Sequence, residues 1–233
     1  MMNVGVIGCG NIAETYFRAQ DYFNNINFIA CSDINLEAAK KASIEHNVEA
    51  LTIDEMLNSK NIDLILNLTI PQAHYEVSKK CLLSGKNVYS EKPMSVKFDQ
   101  AKELVNLAKE KNLYIGNAPD TFLGGGGQLS REIIDKGDIG KVLTGNFIFA
   151  FPGVQEFHPS PESWYQEGGG PVIDMGPYFF TTLVNLLGPA KNIRGRGVKF
   201  SDKREYKAGP NKGKFFDVEI PTSYMFNLEF VNE

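Results

Sequence analysis

The stretch at residues 3–13, NVGVIGCGNIA, decides the fold of the first half of the chain. Its apolar start predicts a strand over 3–8, and a helix is predicted over 11–22. The letters GCGNIA between them match the pattern G-x-G-x-x-[G/A]. The first glycine makes the tight turn, the second lets the backbone approach a pyrophosphate, and Ala13 allows close packing of helix on strand. The pattern predicts a dinucleotide site at Gly8, Cys9, Gly10, Asn11 and Ile12.

Asp33 fits the same interpretation, because it lies 20 residues after Ala13, at the end of a second strand predicted over 27–32. A carboxylate there accepts hydrogen bonds from the adenosine ribose and repels a 2′-phosphate. The segment SDINLEAA contains no arginine, so the sequence favours NAD over NADP as the cofactor. The simpler alternative is a glycine turn beside a solvated aspartate.

Short apolar runs alternate with helical patterns through the first 120 residues, which is typical of βαβ units and a parallel sheet. Further strands are predicted over 48–51, 63–68, 87–90 and 113–117, and helices over 36–45, 72–83 and 98–111. The uninterrupted Leu and Ile content of DLILNL suits a strand that is covered on both faces. We therefore predict that residues 1–120 form an NAD-binding Rossmann domain, with a doubly wound parallel α/β sheet.

The pattern of predicted helices and strands changes after Pro119. GGGG at 124–127 leads into a helix predicted over 128–136, and a run with a period of two predicts a strand over 142–151. Antiparallel strands are predicted over 191–197 and 218–231. Residues 121–233 are thus predicted to form an α+β substrate and oligomerisation domain with a mostly antiparallel sheet, which two strands alone would leave incomplete.

The composition excludes several classes of protein. Of 233 residues, 42% are hydrophobic, which allows a buried core, while 24 basic against 28 acidic residues without a Lys/Arg run argue against nucleic-acid or anionic-membrane partners. No apolar run approaches the ~20 residues of a membrane span, and no secretory signal is visible. The scattered cysteines and histidines show no metal-site spacing, so we expect no metal and a cytoplasmic protein with reduced thiols.

Two loops follow the strands predicted over 63–68 and 87–90, at the sheet edge where parallel α/β sheets bind ligands. In the first loop, Thr69, Pro71 and His74 are predicted to contact the cofactor, with capping and packing of the next helix as the alternative. In the second, Glu91 is a further cofactor candidate. Lys92 could orient a substrate hydroxyl and lower the pKa of a neighbouring acid, or be a solvated charge.

The stretch EGGGPVIDMGPYFF at 167–180 carries two polar candidates, Asp174 and Tyr178. Their i, i+4 spacing places them on one face of a helix, and Pro177 is tolerated only in a first turn, so the helix is predicted to begin near Ile173 or Asp174. The alternative is that Asp174 caps the helix and Tyr178 packs in the core.

Four further residues are weaker candidates for contact with a substrate. The loop HPSPESWY could cover a sugar ring with its aromatic faces, or pack between domains. Asn117 ends the sixth predicted strand. The candidates are His158, Trp164, Tyr165 and Asn117.

Taken in order, GCGNIA, TIPQAH, EKP and GGGPVIDMGPY resemble the glucose–fructose oxidoreductase/inositol dehydrogenase (Gfo/Idh/MocA) family over essentially the whole chain. The resemblance implies a Rossmann domain that binds a nicotinamide cofactor, followed by an α+β domain that supplies the substrate pocket and a homo-oligomer interface. Members typically oxidise or reduce a hydroxyl of a sugar, polyol or related cyclic compound. The resemblance further implies that Lys92 lies near the nicotinamide and Asp174 in the pocket.

The chain departs from the family in two respects. Many members carry a histidine four residues after the aspartate, whereas this chain has Tyr178, which resembles the branch of glucose–fructose oxidoreductase-like and dihydrodiol-dehydrogenase-like proteins. Members also normally continue beyond the point where this chain stops. We expect either a fragment of a longer chain or a sheet that is completed by another element.

Hydride transfer from an alcohol needs a group that takes the hydroxyl proton and a cation that stabilises the alkoxide. We expect Tyr178 to act as acid/base with Lys92 as its activator, or Lys92 itself to be the base, and Asp174 to bind a substrate hydroxyl or hold Lys92. Two alternatives to a dehydrogenase remain at this point: an NAD-dependent glycosidase that oxidises transiently, and a non-catalytic NAD-binding protein.

Overall fold

The computed structural model describes residues 1–231, and residues 232 and 233 of the predicted second domain lie outside that range. The chain divides into two units, of which the first is Met1–Ala118 and the second begins at Pro119. Among the described residues, no helix is both long and apolar enough to cross a lipid bilayer.

The first unit is built on a six-stranded parallel sheet in the order β3-β2-β1-β4-β5-β6. Its strands are β1 Met2–Ile7, β2 Ile26–Ser32, β3 Glu49–Ala50, β4 Leu64–Asn67, β5 Asn87–Ser90 and β6 Ile115–Asn117. Its helices are α1 Ala13–Arg18, α2 Leu36–His46, α3 Ile53–Asn58, α4 Pro71–Leu83 and α5 Phe98–Glu110. Because β1 pairs with both β2 and β4, the strand order reverses at its carboxyl end. The predicted doubly wound fold is confirmed.

The sheet is covered on both faces, as the apolar content of its central strands requires. Neighbouring residues of β4 enter different cores, Ile65 with Leu82 and Leu104 on one side and Leu66 with Phe17 on the other. Each such fully buried side chain contributes about 1.5–3 kcal/mol through removal from water. Helix α3 was not predicted from the sequence, although a reciprocal capping box marks its start.

The second unit contains helices and two small antiparallel sheets. The helices are α6 Gly125–Lys136, α7 Gly170–Asp174 and α8 Gly176–Leu187, and the strands are β7 Ala190–Val198, β8 Lys203–Glu205, β9 Phe215–Asp217 and β10 Ser223–Phe230. Strand β7 pairs with β10, which confirms the predicted antiparallel pair, although β10 starts five residues later than the predicted 218. Strands β8 and β9 pair in the segment between β7 and β10, for which no strand was predicted.

The strand predicted over 142–151 is wrong, because these residues form no strand. A strand needs a neighbour that accepts and donates backbone hydrogen bonds, and the described sheets provide none beside this run. The rings of Phe147 and Phe149 contact Phe179 of α8, with centroids 4.5 and 4.8 Å apart, but both remain exposed, at 54% and 42%, as does Ile148 at 86%.

Candidate nucleotide site and supporting loops

The turn between β1 and α1 requires a glycine at its first position. Gly8 has a φ of +103°, and a Cβ atom on it would lie 2.6 Å from the carbonyl carbon and oxygen of Leu68. The Gly8 N–H donates to the carbonyl oxygen of Ser32, with N···O 2.8 Å. The chain therefore turns tightly after β1 while pressed against the end of β4, as the sequence predicts.

The second glycine of the turn faces open space. A Cβ atom on Gly10 would meet no atom within 4 Å, and Asn11 and Ile12 beside it are exposed. Ala13, by contrast, is buried and packs in the same core as Val6 and Phe17. The loop is thus tightly packed at Gly8 and Ala13, while its backbone at Gly10 is exposed. An exposed backbone is what the close approach of a pyrophosphate needs.

Asp33 supports the glycine turn from the end of β2. Its Oδ2 accepts a hydrogen bond from the backbone N–H of Cys9 at 2.7 Å, and its Oδ1 accepts one from the N–H of Asn35 at 2.8 Å. A carboxylate has about four lone-pair directions, so two bonds leave acceptor capacity for ribose hydroxyls. Asp33 can therefore hold the loop and bind a ribose at the same time.

The three cysteines differ in their access to solvent. Cys31 and Cys81 are fully buried, and Cys9 is half-buried against the core that contains Cys31. Hydrogen bonding to the Cys31 thiol, together with burial, raises the pKa of Cys9 far above its ordinary value. Burial raises the pKa of Cys81 to about 12. Since the thiolate is the reactive form, the raised pKa values of Cys9 and Cys81 slow their reaction, whereas the hydrogen bond with Cys9 lowers the pKa of Cys31, which is protected by its burial alone.

We expect a thiol reagent at pH 8 to label native protein slowly at Cys9 and to leave Cys31 and Cys81 unlabelled. Mass spectrometry of peptides from labelled native and urea-unfolded protein measures this, with Cys9→Ser as the control. The Cys81 thiol has its ordinary pKa of 9.0 in the unfolded chain and a pKa of about 12 in the folded protein. The protonated thiol therefore contributes to the stability of the folded state below pH 9, and this contribution is lost as the pH rises through 12. Rapid labelling of Cys81 in folded protein at pH 8 would contradict this.

Three of the predicted cofactor residues lie in the loop after β4 and the start of α4, namely Thr69, Pro71 and His74. Pro71 lies in the first turn of α4, and the N-cap residue is Ile70, which makes no side-chain cap, so neither Thr69 nor Gln72 caps this helix. The Thr69 hydroxyl instead donates to Oδ1 of Asn67 at 2.7 Å. Thr69 and Pro71 are half-buried at the carboxyl end of the sheet.

His74 is buried, with 1% of its surface exposed. Its Nδ1 lies 2.6 Å from the carbonyl oxygen of Pro93, and its Nε2 lies 2.8 Å from the carbonyl oxygen of Thr69. Both ring nitrogens are thus occupied by the two loops that follow β4 and β5. We therefore consider His74 a support for these loops rather than a direct ligand of the cofactor.

The EKP loop after β5 is held by several side chains. Glu91 accepts a hydrogen bond from the Tyr16 hydroxyl at 2.8 Å and one from the backbone N–H of Lys92 at 2.9 Å. The side-chain amide of Asn117 donates to the carbonyl oxygens of Ser90 and Glu91, both at 2.9 Å. Glu91 and Asn117, predicted to bind cofactor and substrate, therefore fix the backbone that carries Lys92.

Two supporting residues were missed in the sequence. Tyr16 links α1, which follows the glycine turn, to Glu91 of the EKP loop. Asn67 is fully buried and bonds Thr69, Ser78 and the carbonyl oxygen of His74. A signal for Asn67 exists, because it is a polar residue that ends the apolar strand LILN. Tyr16 has no comparable signal.

In the second unit, Asp174 and Tyr178 do not share one helix, so the predicted helix start near residue 173 is wrong. Asp174 is the last residue of α7, and Tyr178 lies in the first turn of α8, which begins at Gly176. Pro177 lacks an N–H and its ring clashes with the preceding turn of a continuous helix, so the chain breaks at Met175 and a new helix begins. Neither polar residue is an N-cap.

The aromatic loop of the second unit has a packed part and a more open part. Tyr165 is 5% exposed and packs with Tyr206, Phe216 and Val218. Its hydroxyl bonds Gln155, and burial raises its pKa. These contacts pack Tyr165 within the second unit, which is neither of the two predicted roles. The half-buried rings of His158 and Trp164 lie beside each other, with centroids 4.6 Å apart.

The parallel sheet, the strained glycine turn, the open backbone at Gly10 and the carboxylate that ends β2 define the first unit as a dinucleotide-binding Rossmann domain. Comparison with known families agrees. Residues 2–118 match the model of the oxidoreductase family with an NAD-binding Rossmann fold, and residues 128–233 match the GFO/IDH/MocA C-terminal domain. The chain belongs to the Gfo/Idh/MocA family of oxidoreductases, as the sequence motifs predict.

Two of the curated relatives are dehydrogenases. D-xylose dehydrogenase of Paenarthrobacter nicotinovorans is 25% identical over 182 residues, which are 72% of this chain and 47% of that protein. Trans-1,2-dihydrobenzene-1,2-diol dehydrogenase of Xenopus tropicalis is 28% identical over 187 residues, 77% of this chain and 56% of that protein. The chain spans about half the length of the curated relatives that it matches.

The fold is also that of solved dehydrogenases. Levoglucosan dehydrogenase in complex with NADH and L-sorbose superposes with a TM-score of 0.83 at 20% identity, over 100% of this chain and 65% of that one. At this identity the likeness establishes the fold alone.

Proposed function

We propose that the protein is an NAD-dependent oxidoreductase that transfers a hydride between the nicotinamide and a hydroxyl or keto group of a sugar, polyol or related cyclic compound. The observation that carries this proposal is the Tyr16–Glu91 hydrogen bond, which ties the EKP loop to the helix of the glycine turn. It gives the proposed catalytic lysine a fixed place at the nucleotide-binding edge of the sheet. The names of the two dehydrogenase relatives support a substrate that bears hydroxyl groups.

The residues of the first unit fit the cofactor. Gly8 to Ile12 would hold the pyrophosphate against the open backbone at Gly10, and Asp33 would bind the adenosine ribose and exclude a 2′-phosphate. Thr69, Pro71 and Glu91 would line or support the same edge. The bound cofactor supplies the hydride acceptor or donor.

Three side chains are proposed to handle the substrate. Lys92 stabilises the charge that develops on the substrate oxygen, Tyr178 takes or returns the hydroxyl proton, and Asp174 binds a neighbouring hydroxyl. As the C–H hydride leaves the carbon, the O–H proton leaves the oxygen, so alcohol becomes ketone. His158 and Trp164 are proposed substrate contacts of the second unit.

We expect saturating NAD to raise the melting temperature of the protein, and NADP to have a smaller effect. A ligand at about 100 times its Kd stabilises by about 2.7 kcal/mol, which corresponds to roughly 5 °C or more for a chain of this size. Asp33→Asn keeps an acceptor for the glycine turn but loses the charge, so the preference for NAD should shrink. Scanning fluorimetry measures both effects, and no shift with either dinucleotide would contradict the cofactor assignment.

A screen of sugars, inositols and other cyclic polyols, read as NADH formation at 340 nm, tests the reaction. Cleavage of a glycoside without net NADH would instead indicate a hydrolase.

We further propose that the protein is cytoplasmic and that it self-associates through the β7–β10 sheet, where Ile193 and Met225 are exposed. Light scattering measures that association.

A further inference from the structure

A buried polar network lies at the carboxyl ends of β4 and β5. Asn67, His74, Ser78 and Ser90 are each at most 2% exposed. A polar group buried at this depth without a partner costs about 1–3 kcal/mol, so such groups persist where a network satisfies them. Here the bonds run from Asn67 to Thr69, to Ser78 and to the backbone of His74.

The ring of His74 joins the two loops through their main chains. Its Nδ1 faces the carbonyl oxygen of Pro93 and its Nε2 faces that of Thr69, at 2.6 and 2.8 Å. Carbonyl oxygens only accept and a neutral imidazole carries one N–H, so the tautomer protonated at Nδ1 donates to Pro93, and both contacts are hydrogen bonds only in the imidazolium form.

The Pro93 contact matters because of what precedes it in the chain. On the N-terminal side of Lys92, its own N–H is held by Oε2 of Glu91 at 2.9 Å, and the Glu91 N–H is held by the carbonyl oxygen of Asn67 at 2.9 Å. On the C-terminal side, the fixed point is the carbonyl group of Pro93, which His74 holds. The backbone of Lys92 is thus fastened on both sides, and His74 provides the second fastening.

We propose that His74 is a positioning residue, which sets the direction of the Lys92 side chain through the carbonyl group of Pro93. This inference rests on the proposed function, since it takes Lys92 as the cation that stabilises the substrate oxygen. Catalytic groups lose efficiency when they are displaced by about 1 Å, so the effect falls on kcat rather than on cofactor affinity. Because the His74 ring is buried, His74 acts on Lys92 through the loop backbone and not as a ligand of the cofactor.

Two substitutions separate the two contacts of the ring. The side-chain amide nitrogen of His74→Asn stands close to the place of Nδ1 and can still donate to Pro93, whereas that of His74→Gln stands near Nε2 and can donate only to Thr69. We expect His74→Gln to lower kcat about tenfold or more with KM for NAD within threefold, and His74→Asn to recover most of that loss. Urea unfolding of both variants controls for stability.

Amide hydrogen exchange of residues 91–94 gives a readout that needs neither substrate nor cofactor. We expect exchange of the Glu91 and Lys92 amides to rise about tenfold in His74→Gln and less than threefold in His74→Asn. In a double-mutant cycle, His74→Gln should add no further loss of kcat to Lys92→Ala. Equal exchange and equal kcat in the two His74 variants would overturn the proposal.

The failure of the proposed function looks different. If Lys92→Ala retains the wild-type kcat, the catalytic role of Lys92 is wrong, and with it the functional part of this inference. If Lys92→Ala is inactive and His74→Gln is as active as His74→Asn, only the positioning role of His74 is wrong.

Discussion

Lys92→Ala is expected to lower kcat by about 10²–10⁴-fold, the range for loss of a positioned group that assists proton transfer. The loss should fall on kcat because the ammonium is used where charge develops on the substrate oxygen. The substitution removes the side chain beyond Cβ and leaves the backbone bond from the residue 92 N–H to Glu91 in place. Affinity for NAD should therefore change by less than about threefold. NADH formation under saturating conditions and a fluorescence titration with NADH measure the two quantities.

Two further variants make the result specific. Lys97→Ala removes an exposed lysine five positions further along the chain and should leave kcat within twofold. Tyr178→Phe decides between the two proposed proton acceptors: a loss as large as that of Lys92→Ala assigns proton transfer to the phenol, while near-normal turnover assigns it to the lysine. Wild-type kcat in Lys92→Ala would remove the central step of the proposed mechanism.

The Rossmann half of the chain could be predicted because its signals are local. The glycine turn, the apolar strands and the carboxylate at Asp33 each follow from a few neighbouring letters. Parallel sheets also bury their strands on both faces, so β4 stands out as an apolar run. The same edge of the sheet then collects the loops after every strand, which is why candidates far apart in sequence lie on connected loops.

The errors lie where structure depends on partners distant in sequence. The period of two at residues 142–151 is typical of a strand, but a strand needs a neighbour, and here Phe147 and Phe149 contact Phe179 of α8 while remaining exposed. The helix break at Met175 depends on how the chain resolves a proline inside a potential helix. For Tyr165, the packing within the second unit could not be predicted, because its partners lie 41 to 53 positions away in sequence.

His74 shows the same limit within the candidate site. The sequence placed it at the correct edge of the sheet but could not show the direction of its ring. That direction depends on Pro93, 19 residues further along, which lies on the next strand's loop. The residue type and position were therefore predictable, while its function as a support for another loop was not.

Gly8→Ala is expected to destabilise the protein by roughly 2–6 kcal/mol, from a strained backbone conformation of about 1–3 kcal/mol and an overpacked contact of similar cost. The φ of +103° is one that L residues rarely adopt. The atoms that a new methyl group meets at 2.6–2.8 Å belong to the backbone of Leu68 and Thr69, which cannot rotate away as a side chain could. Because small proteins unfold at a cost of about 5–15 kcal/mol, the loss is a large part of the total.

Gly10→Ala is the matched comparison, with the same chemical change two residues away. Its methyl group meets nothing within 4 Å, so stability should change by less than about 0.5 kcal/mol. The methyl group would, however, stand where the pyrophosphate must approach, and we expect the Kd for NAD to rise about tenfold or more. Urea unfolding and dinucleotide titration of both variants separate folding from binding. Equal destabilisation by the two substitutions would contradict the steric account of Gly8, and wild-type affinity in Gly10→Ala would place the cofactor elsewhere on the sheet edge.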